Sequence, residues 1–463
     1  MSERSNRALR GGIRAVTGIV VVAVAASLAV LVGNAPLPAV TRDPIAVQVD
    51  TRQSGERAVV CAGSFAQLGA DPQEPGAAVP AGTASTVVAG TPSSQSELAR
   101  ERAGGTAPTV LRAPVGEPFA AAQTQAVSTP ELRGLAAQAC VEPANEQWLV
   151  GGTTAVGAAT TLNLGNPSEK AATVELTVFD EDGQVDSAMT SGVLVPAGSE
   201  RIVSLNGYAP GRERLAVRVV STGAAVSASL GFGQVDGLQS YAVDAITRQL
   251  APETRLVVPG VMNRLAADEG PTDADHLEGS PVLVRALAAD GGSGRATVSA
   301  LFGGGAEAEV LGEIELSGSA VGELEVPQWP AGALAVVIDS EVPIVGGVMG
   351  AAAGNRMHDT AWFAPAPELP VDEPVAAPVV GGQLVLVNDG DTEAAVRVGA
   401  GEAERSYRVP AGGALAVQTG RDSLIVSDAP LHAGVSIASG GDIAGYPVQA
   451  DLETSVALTV HPR

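Results

Sequence analysis

A 463-residue chain with 27 Lys and Arg against 51 Asp and Glu, a formal charge of −24, is too acidic to grip nucleic acid or an anionic lipid face through its surface charge. Aromatic residues make up only 3% of it while apolar residues make up 45%, so a core must be built from Val, Leu and Ala. The length allows two to four domains.

Residues 1–14 form a basic cytoplasmic segment, with Arg4, Arg7, Arg10 and Arg14 against Glu3. That net +3 leaves −27 on the remainder of the −24 total. Residues 15–33 (AVTGIVVVAVAASLAVLVG) carry no charge. At about 1.5 Å per residue this run spans a hydrocarbon core of roughly 30 Å. Residues 15–35 are therefore expected to be a transmembrane anchor or uncleaved signal; Pro36 spoils the small-residue cleavage site at Gly33-Asn34-Ala35. The arginines keep the N-terminus cytoplasmic, which places the bulk of the chain outside the plasma membrane. The lipid bilayer, through residues 15–33, is the first expected partner.

Residues 41–147 read as a loop-rich N-terminal segment with few strands: one where Ile45, Val47 and Val49 alternate, and one at 85–89. Short helical turns are expected at 96–102 and 131–139. Cys61 and Cys140 are the only cysteines, and outside the membrane a disulfide between them is expected. A metal pair would lack further ligands nearby. Closing a loop of this size restricts the unfolded chain by roughly 4–5 kcal/mol in the entropic account.

After Cys140 short alternating runs appear, such as TVELTVF at 173–179 and VSASLGF at 226–232. This period of two argues for half-buried strands. Asn166-Pro167 separates two of them, and Asp182-Gly183 marks a hairpin. The pattern occurs three times, over about 160–232, 282–351 and 384–438. Val195-Pro196-Ala197-Gly198 and Val409-Pro410-Ala411-Gly412 are identical, with Val326-Pro327 in the corresponding place of the middle copy. Each copy closes with an apolar strand, a Ser (221, 340, 427), a break and another apolar strand. The expected fold is all-β: tandem antiparallel β-sandwich (Ig-like) modules at 148–255, 256–370 and 371–463 after one N-terminal transmembrane helix. A β-propeller is the competing arrangement, although its blades are usually shorter.

The stretch LRGLAAQACVEPANEQWLVGGTTAVGAATTLNLGNPSEKAATVELTVF at 132–179, followed by VPAGS, resembles an actinobacterial cell-envelope family, domain-of-unknown-function family 5719. Cys140, Trp148, Val150, Gly151 and Gly152 carry the resemblance. It implies a single N-terminal membrane segment, a paired cysteine and β-rich repeats, with no assigned activity. It also implies an accessory role in envelope glycan assembly. A single lysine, Lys170, in an Ala- and Arg-rich chain fits such a source.

No catalytic or metal-binding motif is legible. Gly-x-Ser-x-Gly is absent, Pro167 stands where Ser-x-x-Lys chemistry needs a serine, and His276, His358, His432 and His461 are scattered. Asp180-Glu181-Asp182-Gly183 reads as a hairpin tip before a Ca²⁺ loop, and the acidic run at 268–278 as a solvated insertion. Trp148 and Trp362 sit in apolar strands and are expected in the core. Trp329, between Pro327 and Pro330, is the candidate contact residue. The sequence thus points to a non-enzymatic, cofactor-free envelope protein whose partner is an envelope protein or a glycan and not nucleic acid. The alternative is a glycan-binding accessory to envelope polysaccharide assembly.

Overall fold

Alternating apolar residues and frequent turn residues make this chain fold into antiparallel strands almost throughout. The computed structural model describes residues 20, 22–24, 26, 27, 47–49, 55–102, 104–186, 192–237, 239–264, 281–354, 357–451 and 458–460. It divides into two units, residues 1–52 with 454–463, and residues 53–453.

In the first unit, Val47–Val49 pairs antiparallel with Leu458–Val460. Val20, Val22, Ala23, Val24, Ala26 and Ser27 are helical, and the rest of the expected span at 15–33 lies outside the described residues. Among the described residues no helix is long and apolar enough to cross a membrane.

In the second unit one strand plan recurs. The repeat that begins at Glu146 shows it in full. One sheet runs Glu146–Val150, Ala216–Thr222, Ala172–Asp180, with Gly183–Gln184 and Val193–Val195 both on the last of these. The other runs Ser199–Ser204, Ala158–Asn166, Ser227–Asp236, Gln239–Thr247. With strand positions numbered along the chain, and the two short strands sharing position 4, the sheets read 1-6-3-4 and 5-2-7-8. Leu149, Val174, Leu176 and Val217 from one sheet meet Leu162, Leu164, Leu230 and Ile246 from the other in one apolar core.

The repeat from Val375 keeps the same order. Val375–Pro378, Asp422–Ser427, Ala394–Gly399 and Arg405–Val409 form one sheet, and Gly413–Val417, Gln383–Asn388, His432–Ser439 and Asp442–Pro447 the other. The repeat from Glu253 differs in one respect: positions 6 and 7 fuse into a single strand, Ala333–Gly354. Its first half pairs with Glu253–Pro259 and Gly294–Phe302, its second with Val282–Ala288 and Met357–Phe363. Glu309–Leu316 and Gly322–Val326 complete positions 4 and 5. The chain changes sheet at Ser340-Glu341-Val342-Pro343, where a proline suits the corner between ladders.

The segment expected to be loop-rich is a fourth, trimmed copy. Glu56–Cys61, Thr109–Pro114 and Ser94–Glu97 form one sheet, and Ser85–Ala89, Ala120–Ser128 and Arg133–Ala139 the other. These are positions 1-6-3 and 2-7-8, without 4 and 5. Two expectations are corrected here: the helical turns at 96–102 and 131–139 give way to the strands Ser94–Glu97 and Arg133–Ala139. Pairing with Thr109–Pro114 and Ala120–Ser128 overrides the local helical pattern.

The disulfide joins the two sheets of this trimmed repeat. Cys61 ends position 1 and Cys140 follows position 8, with Cα atoms 4.3 Å apart and both side chains buried. Beside it Val60 and Val141 exchange backbone hydrogen bonds of 2.9 and 3.0 Å. Trp148 and Gln249 do the same at 2.8 Å in the second repeat, and Ala366 N–H donates to Val257 at 2.9 Å in the third. The position is common to the fold; the covalent bond is confined to the repeat with the fewest strands.

The identical tetrapeptides have a shared cause. Asn166 and Asn388, both buried, end their position-2 strands. Asn166 Nδ2 donates to Lys170 O at 2.7 Å and Val195 O at 3.0 Å; Asn388 Nδ2 donates to Thr392 O at 2.7 Å and Val409 O at 3.0 Å. Each pins the turn that follows position 4, where Gly198 and Gly412 take φ of +61° and +59°. The expected correspondence of Val326-Pro327 does not hold: Val326 ends position 5, not position 4, and the equivalent turn turns at Gly318, φ +57°.

The repeats close into a ring. Sheet 1-6-3-4 of each packs on sheet 5-2-7-8 of the next. Trp148, Val150 and Phe179 of the second repeat meet Leu287, Val321 and Val345 of the third. Val257, Leu301 and Val337 of the third meet Val385, Val387 and Ala414 of the fourth. Ala122, Ala137 and Ala139 of the first join the core of the fourth, and Asp422 accepts the Gly90 N–H at 3.0 Å. At the seam from first to second repeat, Ala99 bridges Ser199, and Arg100 forks onto Glu200 at 2.6 and 3.1 Å.

Candidate functional site: a carboxylate junction at the ring centre

The ring brings the four position-8 strands together, each touching the next and the last touching the first. Three of them carry an aspartate in an otherwise apolar setting: Asp244, Asp359 and Asp442. Asp359 is wholly enclosed. Its Oδ2 accepts N–H groups from Leu135 of the first repeat at 3.2 Å and Ile443 of the fourth at 3.0 Å. Its Oδ1 accepts the Thr360 N–H at 3.0 Å. Asp244, equally enclosed, accepts the Trp362 N–H at 2.6 Å, which ties the second repeat to the third. Asp442 pairs with Arg133 at 3.4 Å, fourth repeat to first.

Burial dominates the electrostatics. It pushes Asp244 up to about 7, against the pull of the Trp362 and Ala245 N–H groups. Asp359 is raised well above the usual carboxylate range by burial; the Ile443 and Leu135 donors oppose this, and the charges of Asp244 and Asp442 add to it. Tyr241 stacks on His358 with ring centroids 5.7 Å apart, and burial lowers the His358 pKa. Asp359, whose oxygens receive backbone donors from the first and fourth repeats as well as its own strand, works as a fastener, because no substrate reaches an atom that is fully covered. Among the described residues no group of three or more His, Cys, Asp or Glu is placed to hold a metal ion.

The remaining seams use the same device. Arg285, 4% exposed, donates to Gly152 O at 2.5 Å, Glu213 O at 2.9 Å and Glu323 at 2.6 Å, and lies 4.5 Å over the Trp362 ring. A cleft of about 350 Å³ between the first and second repeats is lined by Arg100, Arg102 and Arg201. Each guanidinium there is paired: Arg100 with Glu200, Arg102 with Asp71 and Glu74, Arg201 with Glu101.

Residues singled out from the sequence fall as follows. Cys61 and Cys140 are bonded. Trp148 and Trp362 are core residues, each 2% exposed. Trp329 is half-buried and packs on the core of the third repeat. Asp180 Oδ1 accepts the Asp182 and Gly183 N–H groups at 2.8 and 3.0 Å, a hairpin tip as expected. The acidic run at 268–278, with His276, lies outside the described residues, as does His461. Asp244, Asp359 and Asp442 escaped the sequence reading, although a lone acid in an apolar strand near each repeat's end was the available signal.

The family of unknown function DUF5719 matches residues 99–420, well over half of the chain. The chain belongs to this family. The DUF5719 match begins at the seam residue Ala99 and runs into the fourth repeat. No curated protein and no solved structure matches the chain.

Proposed function

We propose that this DUF5719 protein is an exported, non-catalytic interaction protein of an actinobacterial cell envelope, anchored through residues 15–33 with its N-terminus in the cytoplasm. Its four repeats are antiparallel sandwiches in tandem, closed into a ring, with the order 1-6-3-4 and 5-2-7-8 in place of an immunoglobulin domain's; neither sheet follows chain order, as the meander of a propeller blade would. The observation that carries the reading is the buried Cys61–Cys140 disulfide in the smallest repeat, because such bonds persist in oxidising compartments. The helical Val20, Val22 and Val24, 53, 68 and 52% exposed, suit a lipid surround. The enclosed acids support a structural role, since they hold strands together.

A glycan-binding accessory is the second reading, but Trp148 and Trp362 are spent on the core. Val156, fully exposed, provides the test. In whole bacteria a V156C chain is expected to react with a membrane-impermeant maleimide, with the native pair blocked as cystine. Reaction only after lysis would overturn export.

A further inference from the structure

In each complete repeat the position-2 strand is flanked on its outer side by position 5, always antiparallel: Ser199–Ser204 on Ala158–Asn166, Gly322–Val326 on Val282–Ala288, Gly413–Val417 on Gln383–Asn388. The first repeat has the position-2 strand, Ser85–Ala89, but no strand outside it, so that strand ends its sheet. The reason is chain length. Residues 98–108 must connect position 3 to position 6, whereas the complete repeats use 181–215, 303–332 and 400–421. This short connection is also committed elsewhere: Ala99 N–H donates to Gly198 O at 2.9 Å and Glu200 N–H to Ala99 O at 2.8 Å.

The edge left behind is held at its start, where the Thr106 hydroxyl accepts the Ala84 N–H at 3.0 Å and donates to Ala84 O at 3.2 Å, and Ala89 at its end is buried; the stretch between carries no guard. Ser85-Thr86-Val87-Val88-Ala89 holds no charge and no proline, and three of its five residues are β-branched. Natural edges are usually blunted by charge, proline or a bulge. Ser85 and Thr86 are exposed, Val87 and Val88 half-buried. Asp422 holds the Gly90 N–H and so fixes where the strand ends. The other outer edge, Ser94–Glu97, is shorter and carries a glutamate.

We propose that Ser85–Ala89 accepts an extended segment of a partner protein as the strand this repeat lacks. The complete repeats define the segment's geometry: it pairs antiparallel through its backbone. Two of their position-5 strands, SERIVS and GELEV, carry charges; the uncharged edge here suits the third kind, small and apolar like Gly413–Val417 (GALAV). A second copy of this chain is disfavoured as occupant, because bodies this acidic repel each other. The inference deepens the interaction role proposed above and rests on it.

The test adds a labelled synthetic peptide copying residues 411–419 (AGGALAVQT) to the full-length oxidised chain in detergent. The expected result is saturable binding that slows amide exchange in 85–89 and leaves 94–97 unchanged. A T86K variant, which places a charge on the exposed edge, should weaken binding about tenfold or more while melting like the parent. The peptide N-methylated at alternate residues should not bind. Absent binding, protection elsewhere, equal binding of the methylated peptide, or protection of 85–89 by self-association without peptide would each overturn the proposal. None of these bears on export, which the maleimide experiment decides separately.

Discussion

The first repeat and the three complete ones solve one packing problem with different means. In the second repeat, Leu149, Val174, Leu176, Val217, Leu162, Leu164 and Leu230 fill the space between two sheets, and no covalent bond is used. The first repeat lacks two strands, and the cluster between its sheets is small: Val59, Leu111, Ala113, Phe119 and Ala121 around the cystine, with Val88 packed against them. Its long loop over 62–84 is held by glutamine amides: Gln123 exchanges hydrogen bonds with Gly63 at 3.0 and 2.7 Å, and Gln125 accepts the Phe65 N–H at 2.8 Å. A small core is marginal unless something else constrains the unfolded chain. The disulfide and the seams to both neighbours provide that constraint.

The largest effect that would break this contrast comes from the cystine. C61S/C140S should lose about 4 kcal/mol, read by thermal unfolding, with proteolysis appearing first within 56–139. Equal proteolysis of all four repeats would remove the distinction.

The junction shared by the repeats should respond to pH and the cystine should not. Asp244 rises from an ordinary 3.8 to about 7 on folding, so the native state binds the extra proton. This contribution is fully present below about 4 and falls away as pH rises through about 7, a loss of roughly 4 kcal/mol. D244N should flatten that part of the stability–pH curve; an unchanged slope would place the titrating group elsewhere.

At the seam beside the trimmed repeat, R100A strands the buried Glu200 carboxylate and should cost about 3 kcal/mol. Restoring part of that loss with E200Q in the same chain would sharpen the assignment. N388A, in the complete fourth repeat, frees the Thr392 and Val409 carbonyls and should cost about 2 kcal/mol. Urea unfolding measures both.

Period-two alternation made the strands after Cys140 legible, and the repeated Val-Pro-Ala-Gly marked two turns of the same kind. The trimmed repeat was hidden because its strands are rich in Ala, Ser and Gln, as in AAAQTQAVS, which gives weak hydrophobic contrast. The fused strand Ala333–Gly354 hid the third repeat's register, since Pro343 reads as a break where the chain only changes sheet. The ring and its junction were illegible for a different reason. Asp359 gains its partners from Leu135 and Ile443, 224 and 84 residues away, and no local pattern encodes such a meeting.

That meeting is also the most direct test of the closed ring. Residue-resolved amide exchange on D359A should quicken Leu135 in the first repeat and Ile443 in the fourth together, along with Thr360 beside the substitution. Faster exchange at Thr360 alone, with Leu135 and Ile443 unmoved, would contradict a ring whose inner strands share one carboxylate.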